Sequence, residues 1–381
     1  MTTLEVGLDD DLLTLVSERA AAAAGARRLD DEVVARLAAT GLNRSLVPVE
    51  LGGAALHPLL VFDALERIGR VDGSVAWCSA ISAGSNIFAG YVPEAVARVV
   101  WDDPDGGAAG MFSPTGVVSV RGEGAAVLTG RWAFTSNCLH SRRIGLGAWF
   151  ESTEGERSPI PRLVIVPADD VEIEDTWFGS GLQATGSHHV VAHEVAIDPA
   201  ASCSFGDRPW PDGPLWRIPL FAVLAPCLVA APLGVARGAV DELLRRVRGG
   251  EGGATRGALQ DDPVGLAELG EADAALRAAR AGVADVLDRL WTEAEEGRRA
   301  DRPLQAVTFL AVQHAMDAAV AATSTAHRLS GGAAAYAGHR VLTALRDVET
   351  ARQHVMFSHQ HRPAIARIAA GIDDVSPPFV I

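Results

Sequence analysis

The stretch Leu128–Cys138, LTGRWAFTSNC, is the part of the chain whose reading decides the rest. Ala126, Val127 and Leu128 lead into Gly130, and beyond it Trp132 and Phe134 alternate with Arg131, Ala133 and Thr135. A period of two marks a half-buried strand, because successive strand side chains point to opposite faces. The strand runs out at Ser136 and Asn137 into a short polar loop. There the Ser136 hydroxyl and backbone N–H groups suit the edge of a heteroaromatic ring, with Phe134 covering its face. The same residues suit an ordinary strand end whose Ser and Asn are satisfied, so the stretch takes its meaning from its flanks.

Upstream, from Asp10 to about Asp103, apolar residues recur at helical spacing in Leu12–Ala24, Asp30–Ala39 and Leu59–Ile68. The loop Val47–Gly53 separates two of these helices. Asp72-Gly73-Ser74 precedes another that runs through Val75, Trp77 and Ile81 towards Phe88, with Ser74 as the expected N-cap. Around the opening stretch the period is two, in short runs at Val117–Val120, Ile144–Phe150, Leu163–Val166 and His189–Val195 spaced by turn residues, which predicts six to eight strands. Downstream, helical spacing returns in four long segments near 220–248, 263–297, 303–330 and 339–370, an arrangement best packed as an antiparallel four-helix bundle. The expected domains are therefore 1–105 helical, 106–215 β and 216–381 bundle, an α+β chain.

Composition narrows the function. A formal net charge of -15 repels nucleic acid and anionic lipid at long range. Cys78, Cys138, Cys203 and Cys227 form no metal-ligand spacing and read as reduced thiols, so no metal is expected. The acidic N-terminus has no signal-peptide pattern, and the longest apolar stretch, Leu220–Ala236, carries Pro226, Pro232 and Gly234. The expectation is a cytoplasmic protein that engages no membrane.

Helices, then a β unit, then a four-helix bundle is an uncommon order, and the chain resembles the acyl-CoA dehydrogenase superfamily over nearly its whole length. Val47–Gly53 is similar to that family's P-x-x-[YF]-G-G turn, and Gly130–Asn137 to its G-K-x-x-W-I-T-N strand. Gly234–Ala239 is similar to its bundle-opening helix, Leu329–Gly332 to its Gly-Gly element, and Arg346-Asp347 to the Arg-Asp opening its last helix. The resemblance implies an N-terminal α-helical domain, a central β-barrel or sandwich domain and the bundle.

The fold hosts both dehydrogenases and oxygenases, so residues must choose. The dehydrogenases commonly place a catalytic Glu after the Arg-Asp; the matching position here is Val355, and no carboxylate occurs between Glu349 and Asp373. Gln353-His354 stands there instead, with His354 expected on the face of Asp347 two helical turns along. That pattern, Ser113-Pro114-Thr115-Gly116 and Gly186-Ser187-His188 resemble the superfamily's two-component flavin-dependent monooxygenases. In those enzymes a separate NAD(P)H-dependent reductase delivers reduced flavin, which reacts with O2 as a C4a-hydroperoxide and hydroxylates a ring-bearing substrate. The alternatives are an acyl-CoA dehydrogenase with a displaced base and a flavin-free scaffold.

By the same resemblance, His354 and Ser136 are the catalytic candidates. His354 would donate to the bound oxygen or assist deprotonation of a phenol; Ser136 would sit near flavin N5 and O4. Phe134 would stack beside the ring, and Thr115, Arg328, Gly331 and Gly332 would complete the cofactor contacts. Trp77, Asn86, Phe88, His188 and His140 are the candidates to meet substrate. The segment Arg256–Gln260 lacks the Phe-Gly with which dehydrogenases of this fold clamp FAD, which favours reduced FMN while leaving FAD open. The family's usual assembly is a homotetramer.

Overall fold

The computed structural model of the chain describes residues 7–103, 106–121, 125–249 and 259–372. Five helices come first: α1 (Asp10–Ala26), α2 (Asp31–Ala39), α3 (Pro58–Gly69), α4 (Gly73–Asn86) and α5 (Glu94–Val100). Their starts are chemically marked. Asp9 and Asp30 cap α1 and α2, and Asp72, not the expected Ser74, caps α4 by accepting from Val75 N–H at 2.8 Å.

Seven strands follow: β1 (Ala108–Arg121), β2 (Ala125–Thr135), β3 (Arg143–Glu151), β4 (Arg162–Pro167), β5 (Glu172–Glu174), β6 (His188–Ile197) and β7 (Ser202–Cys203). They form one mixed sheet in the order β5-β6-β2-β1-β3-β4-β7, in which only β1 and β3 run parallel. Two register slips shape its functional end, one in β1 between Met111 and Gly116 and one in β2 between Trp132 and Thr135. Trp132 anchors both. It is fully buried, donates Nε1–H to Gly147 O at 2.8 Å, and lies so close over Gly116 and Gly130 that a Cβ at either would strike the ring.

The chain then returns through α6 (Pro214–Arg217) to α7 (Leu220–Gly249), α8 (Pro263–Glu295), α9 (Arg302–Leu329), α10 (Arg340–Ala351) and α11 (Arg362–Ala369). Helices α7 and α9 are long and apolar enough to cross a membrane, yet 94% and 61% of their apolar windows are buried inside the protein, the burial of bundle core helices. One apolar core runs from Leu12 in α1 through α3, α4 and the bundle to Ile368, and a second lies in the sheet around Leu128, Trp132, Ile144 and Val190.

The expected fourth bundle helix is divided. After α10 the chain makes two short 3-10 turns at Val355–Phe357 and His359–His361 before Pro363, which lacks an N–H and starts α11. His354 is consequently not on a helix face two turns beyond Asp347. It takes an extended backbone and caps the first turn, its Nδ1 accepting from Met356 N–H at 3.3 Å.

Arg346 and Asp347 lie past the middle of α10 and fasten the sheet's long connection to the bundle. Leu182 N–H donates to Asp347 Oδ1 at 2.6 Å, while a Cβ on Gly181 would collide with the Arg346 carbonyl. Asp347 is buried beside Asp72, and desolvation followed by that neighbour pushes its carboxyl up to about 7. A carboxyl held protonated in the folded chain but ionised in the unfolded chain above about pH 4 makes folding less favourable as pH rises from there towards 7. Asp347→Asn keeps an oxygen for the Leu182 amide and should flatten that part of the Tm–pH profile. Asp347→Ala leaves the amide unpaired and should cost about 1–3 kcal/mol at every pH. An Asn variant with the parent's slope between pH 4 and 7 would remove Asp347 as its source.

Candidate active site

Three segments far apart in sequence meet at the indole of Trp77. Trp77 is buried on α4; its Nε1–H donates to Ser136 Oγ at 3.1 Å, and its ring meets the His354 imidazole edge-on with centroids 5.6 Å apart. Ser136 reaches this position because β2 leaves regular geometry. Phe134 adopts φ 64° and Asn137 φ 67°, both in the left-handed region that side chains other than glycine resist. Ser136 N–H folds back to Phe134 O at 2.9 Å, and Asn137 N–H donates to Thr185 O at 3.0 Å. The alternation inferred from sequence therefore breaks after Trp132: Trp132 is buried whereas Phe134 is 61% exposed.

Behind Ser136 runs a line of buried hydroxyls whose polarity is fixed. Thr185 Oγ1–H donates to the Leu182 carbonyl at 2.8 Å, so Thr185 must accept from Ser187 across their 2.7 Å contact. Ser187 has then spent its proton and accepts from Ser136, also at 2.7 Å. Ser136 donates its one proton to Ser187 and accepts from Trp77, which leaves one lone pair and no further proton. Its remaining capacity is that of an acceptor. This suits an N–H at a ring edge such as reduced flavin N5, and does not suit the O4 carbonyl that the sequence also assigned to it.

His354 also lines a cavity of about 480 Å³, within the range of small-molecule sites, whereas Trp77 and Ser136 stand behind it and are not part of its wall. Helix α4 contributes Ala80, Ile81, Gly84 and Ser85, the β1 bulge Met111–Pro114, α7 Phe221, Leu224 and Leu228, and the last segment His354–Met356, with Phe205 closing one side. Among the described residues its polar side chains are Ser85, Ser113 and His354, and no described Asp, Glu, Lys or Arg side chain forms part of the wall. Burial pulls the His354 imidazole down to about 4, so it is neutral at physiological pH. Because Nδ1 accepts from Met356, the proton sits on Nε2. His354 is a donor here, and the base role open to it in sequence is not available to this tautomer.

The other sequence-derived candidates disperse. Asn86 is buried and consumed by structure, accepting from Trp101 Nε1 at 2.8 Å and from Arg143 Nη1 at 3.0 Å. Phe88 stands one layer back, packed on Phe112 and Phe205 with centroids at 5.3 and 6.2 Å. His188 is buried with Nδ1 accepting from the backbone N–H groups of Thr176 and Trp177, and His189 packs on Phe134. His140 lies against α2, 4.0 Å from Asp31, its ring pushed down to about 4 by burial. None of these five residues lines the cavity. Thr115 sits on the exposed side of the β1 bulge and donates to Arg131 O at 3.0 Å. Arg328 pairs with Glu268 at 2.6 Å at the far end of α9, next to exposed Gly331 and Gly332. Most of the Arg256–Gln260 segment lies outside the described residues.

Sequence reasoning missed Thr185 and the aromatic wall of Phe112, Phe205 and Phe221. Ser187 was visible only as part of a motif; that it takes the proton of Ser136 required the pairing of β2 with β6.

Residues 226–359 match the model for the acyl-CoA dehydrogenase C-terminal domain. The chain is 29% identical over 332 residues to the indole-3-acetate monooxygenase of Pseudomonas putida, spanning 87% of this chain and 84% of that protein. It is likewise 29% identical over 295 residues to the HsaA oxygenase subunit of a flavin-dependent monooxygenase from Rhodococcus jostii, spanning 72% and 75%. Its fold superposes on the crystal structure of 3-HSA hydroxylase from Rhodococcus sp. RHA1 with a TM-score of 0.88, at 24% identity and 96% coverage of both chains. The bundle match and the superposition show an acyl-CoA dehydrogenase-like fold, and over most of its length the chain is similar to flavin-dependent monooxygenases.

Proposed function

We propose that this protein is the oxygenase component of a two-component flavin-dependent monooxygenase acting on a ring-bearing small molecule of aromatic or polyketide type. The observation that carries the reading is that Trp77, Ser136 and His354 meet beside an apolar cavity that His354 lines and to which no carboxylate among the described residues contributes. A dehydrogenase requires a base for the proton beside a thioester carbonyl. At the position where many members place it, Val355 faces the cavity instead.

The residues present fit a flavin. Ser136 has one acceptor site left for an N–H at the ring edge. Beside it Phe134 holds its ring outside the sheet, against Trp177 at 6.3 Å and His189 at 5.8 Å, a wet aromatic face that a planar cofactor would cover. When bound, reduced flavin with O2 supplies the oxygen atom that is transferred. The chain's part is to orient and to keep dry. Ser136 accepts from the ring edge, and the hydroxyl line behind it prevents Ser136 from rotating to donate. His354 Nε2–H donates towards the reacting oxygen or a substrate oxygen, and the apolar wall excludes the water that would divert the reaction to H2O2.

Reduced FMN is the proposed form, with FAD as the alternative, and an NAD(P)H-dependent reductase is the proposed electron source, in keeping with the relative named as an oxygenase subunit. Thr115, Arg328, Gly331 and Gly332 stay in the proposal as cofactor contacts. The last three are remote from the cavity within one chain, so they would act across a subunit boundary in a cytoplasmic homotetramer.

Two experiments test this. Anaerobic mixing of the oxidised-flavin complex with a panel of acyl-CoA thioesters should leave the flavin absorbance unchanged; bleaching would establish the dehydrogenase reading instead. His354→Ala should retain flavin binding while product formed per reduced flavin falls about tenfold or more, the scale of losing one positioned donor. Ser136→Ala should shift the O2 consumed towards H2O2. Parent-like coupling in both variants would place the chemistry elsewhere.

A further inference from the structure

The cavity that the oxygenase reading assigns to substrate has a charge character that narrows the substrate. Its wall combines apolar side chains with two serine hydroxyls and a neutral imidazole that can only donate. A carboxylate placed there would lose its water without gaining a cation. Arg143 is the cation behind the wall. It is separated from the cavity by Ser85, Phe112 and a void too tight for a water molecule. Its guanidinium is already committed: Nε donates to Val100 O at 2.9 Å, and Nη1 to Asn86 Oδ1 at 3.0 Å and Gly106 O at 3.1 Å. Trp101 covers it at 5.3 Å. Reaching Arg143 would mean displacing the Phe112 ring and undoing bonds that tie the start of the sheet to α4 and α5.

We propose, resting on the oxygenase reading, that this cavity selects uncharged aromatic substrates bearing a hydrogen-bond acceptor for His354 Nε2–H, and discriminates against substrates that carry a carboxylate on the ring or on a short side chain. The selection against anions comes from the missing cation. The selection for an acceptor comes from His354: a neutral donor left facing an unoccupied apolar partner loses a hydrogen bond that water would otherwise supply, whereas a carbonyl, phenol or amide oxygen restores it.

The test uses two ligands of nearly one shape, indole-3-acetamide and indole-3-acetate, and the smaller 3-ethylindole, which lacks the acceptor. Binding to the protein loaded with reduced flavin is measured anaerobically by calorimetry at pH 7.5. The amide should bind at least tenfold more tightly than the acid. In His354→Phe the amide-to-ethylindole affinity ratio should fall at least fivefold. Acid binding equal to or tighter than amide overturns the proposal without recourse to any variant, as does failure of all three to bind. An amide-to-ethylindole ratio unchanged in His354→Phe overturns the acceptor requirement. Failure of the protein to bind or consume reduced flavin would instead sink the oxygenase reading, and the ligand order, measured in flavin-free protein, would still decide the cavity's preference.

Discussion

The hydrogen bond from Trp77 to Ser136 is the contact on which the site depends, because it joins an N-terminal helix to the one strand end that is turned out of regular geometry. Phe134 and Asn137 both occupy left-handed backbone conformations, and each such residue costs of order 1 kcal/mol or more. The turn persists because the surroundings over-determine it. Asn137 is held by the Thr185 carbonyl and by Ala108 O, Ser136 by Trp77 and Ser187, and Trp132 fixes the preceding register over two glycines. A hydroxyl held by two buried partners on a backbone fixed from both sides is a positioned group rather than a surface serine.

The same arrangement decides what each polar atom can do. Counting protons along Thr185, Ser187 and Ser136 leaves Ser136 an acceptor, and the Met356 amide leaves His354 a donor. The two meet at Trp77 with opposite hydrogen-bond character. A flavin edge that offers N–H and an oxygen that needs a donor can therefore be served at once without any charged residue. Keeping the site uncharged matters for oxygen chemistry, since a buried anion would have to be solvated, and solvating water is what diverts reduced flavin and O2 to H2O2.

The bundle contributes through Asp347 as well as through His354. By holding Leu182 against α10, Asp347 fixes the carbonyl that terminates the hydroxyl line, so the bundle and the sheet set the proton order jointly. Asp347 is close to Asp72, the cap of α4, and α4 carries Trp77. The Arg-Asp pair recognised in sequence is thus a fastening between the helices and the sheet.

The sequence determined the order of the chain: helices at 3.6-residue spacing, a segment of period two, then three long bundle helices whose limits at α7, α8 and α9 fall within a few residues of those read from periodicity. It also marked Ser136, Trp77 and His354 as candidates, the first and last through the resemblance of their motifs to a known family. It misread what depends on distant partners. Phe134 left the expected alternation because the slip between β2 and β6 absorbs residues that no local period reveals. His354 left the helix because Pro363 and buried Met356 and Phe357 divide the last segment. Asn86, Phe88, His140 and His188 have the chemistry of a site but are bonded or packed elsewhere. Which proton each hydroxyl and imidazole carries was decided by the tertiary structure alone, because a hydrogen bond's direction is set by its partner and these partners are far away in sequence.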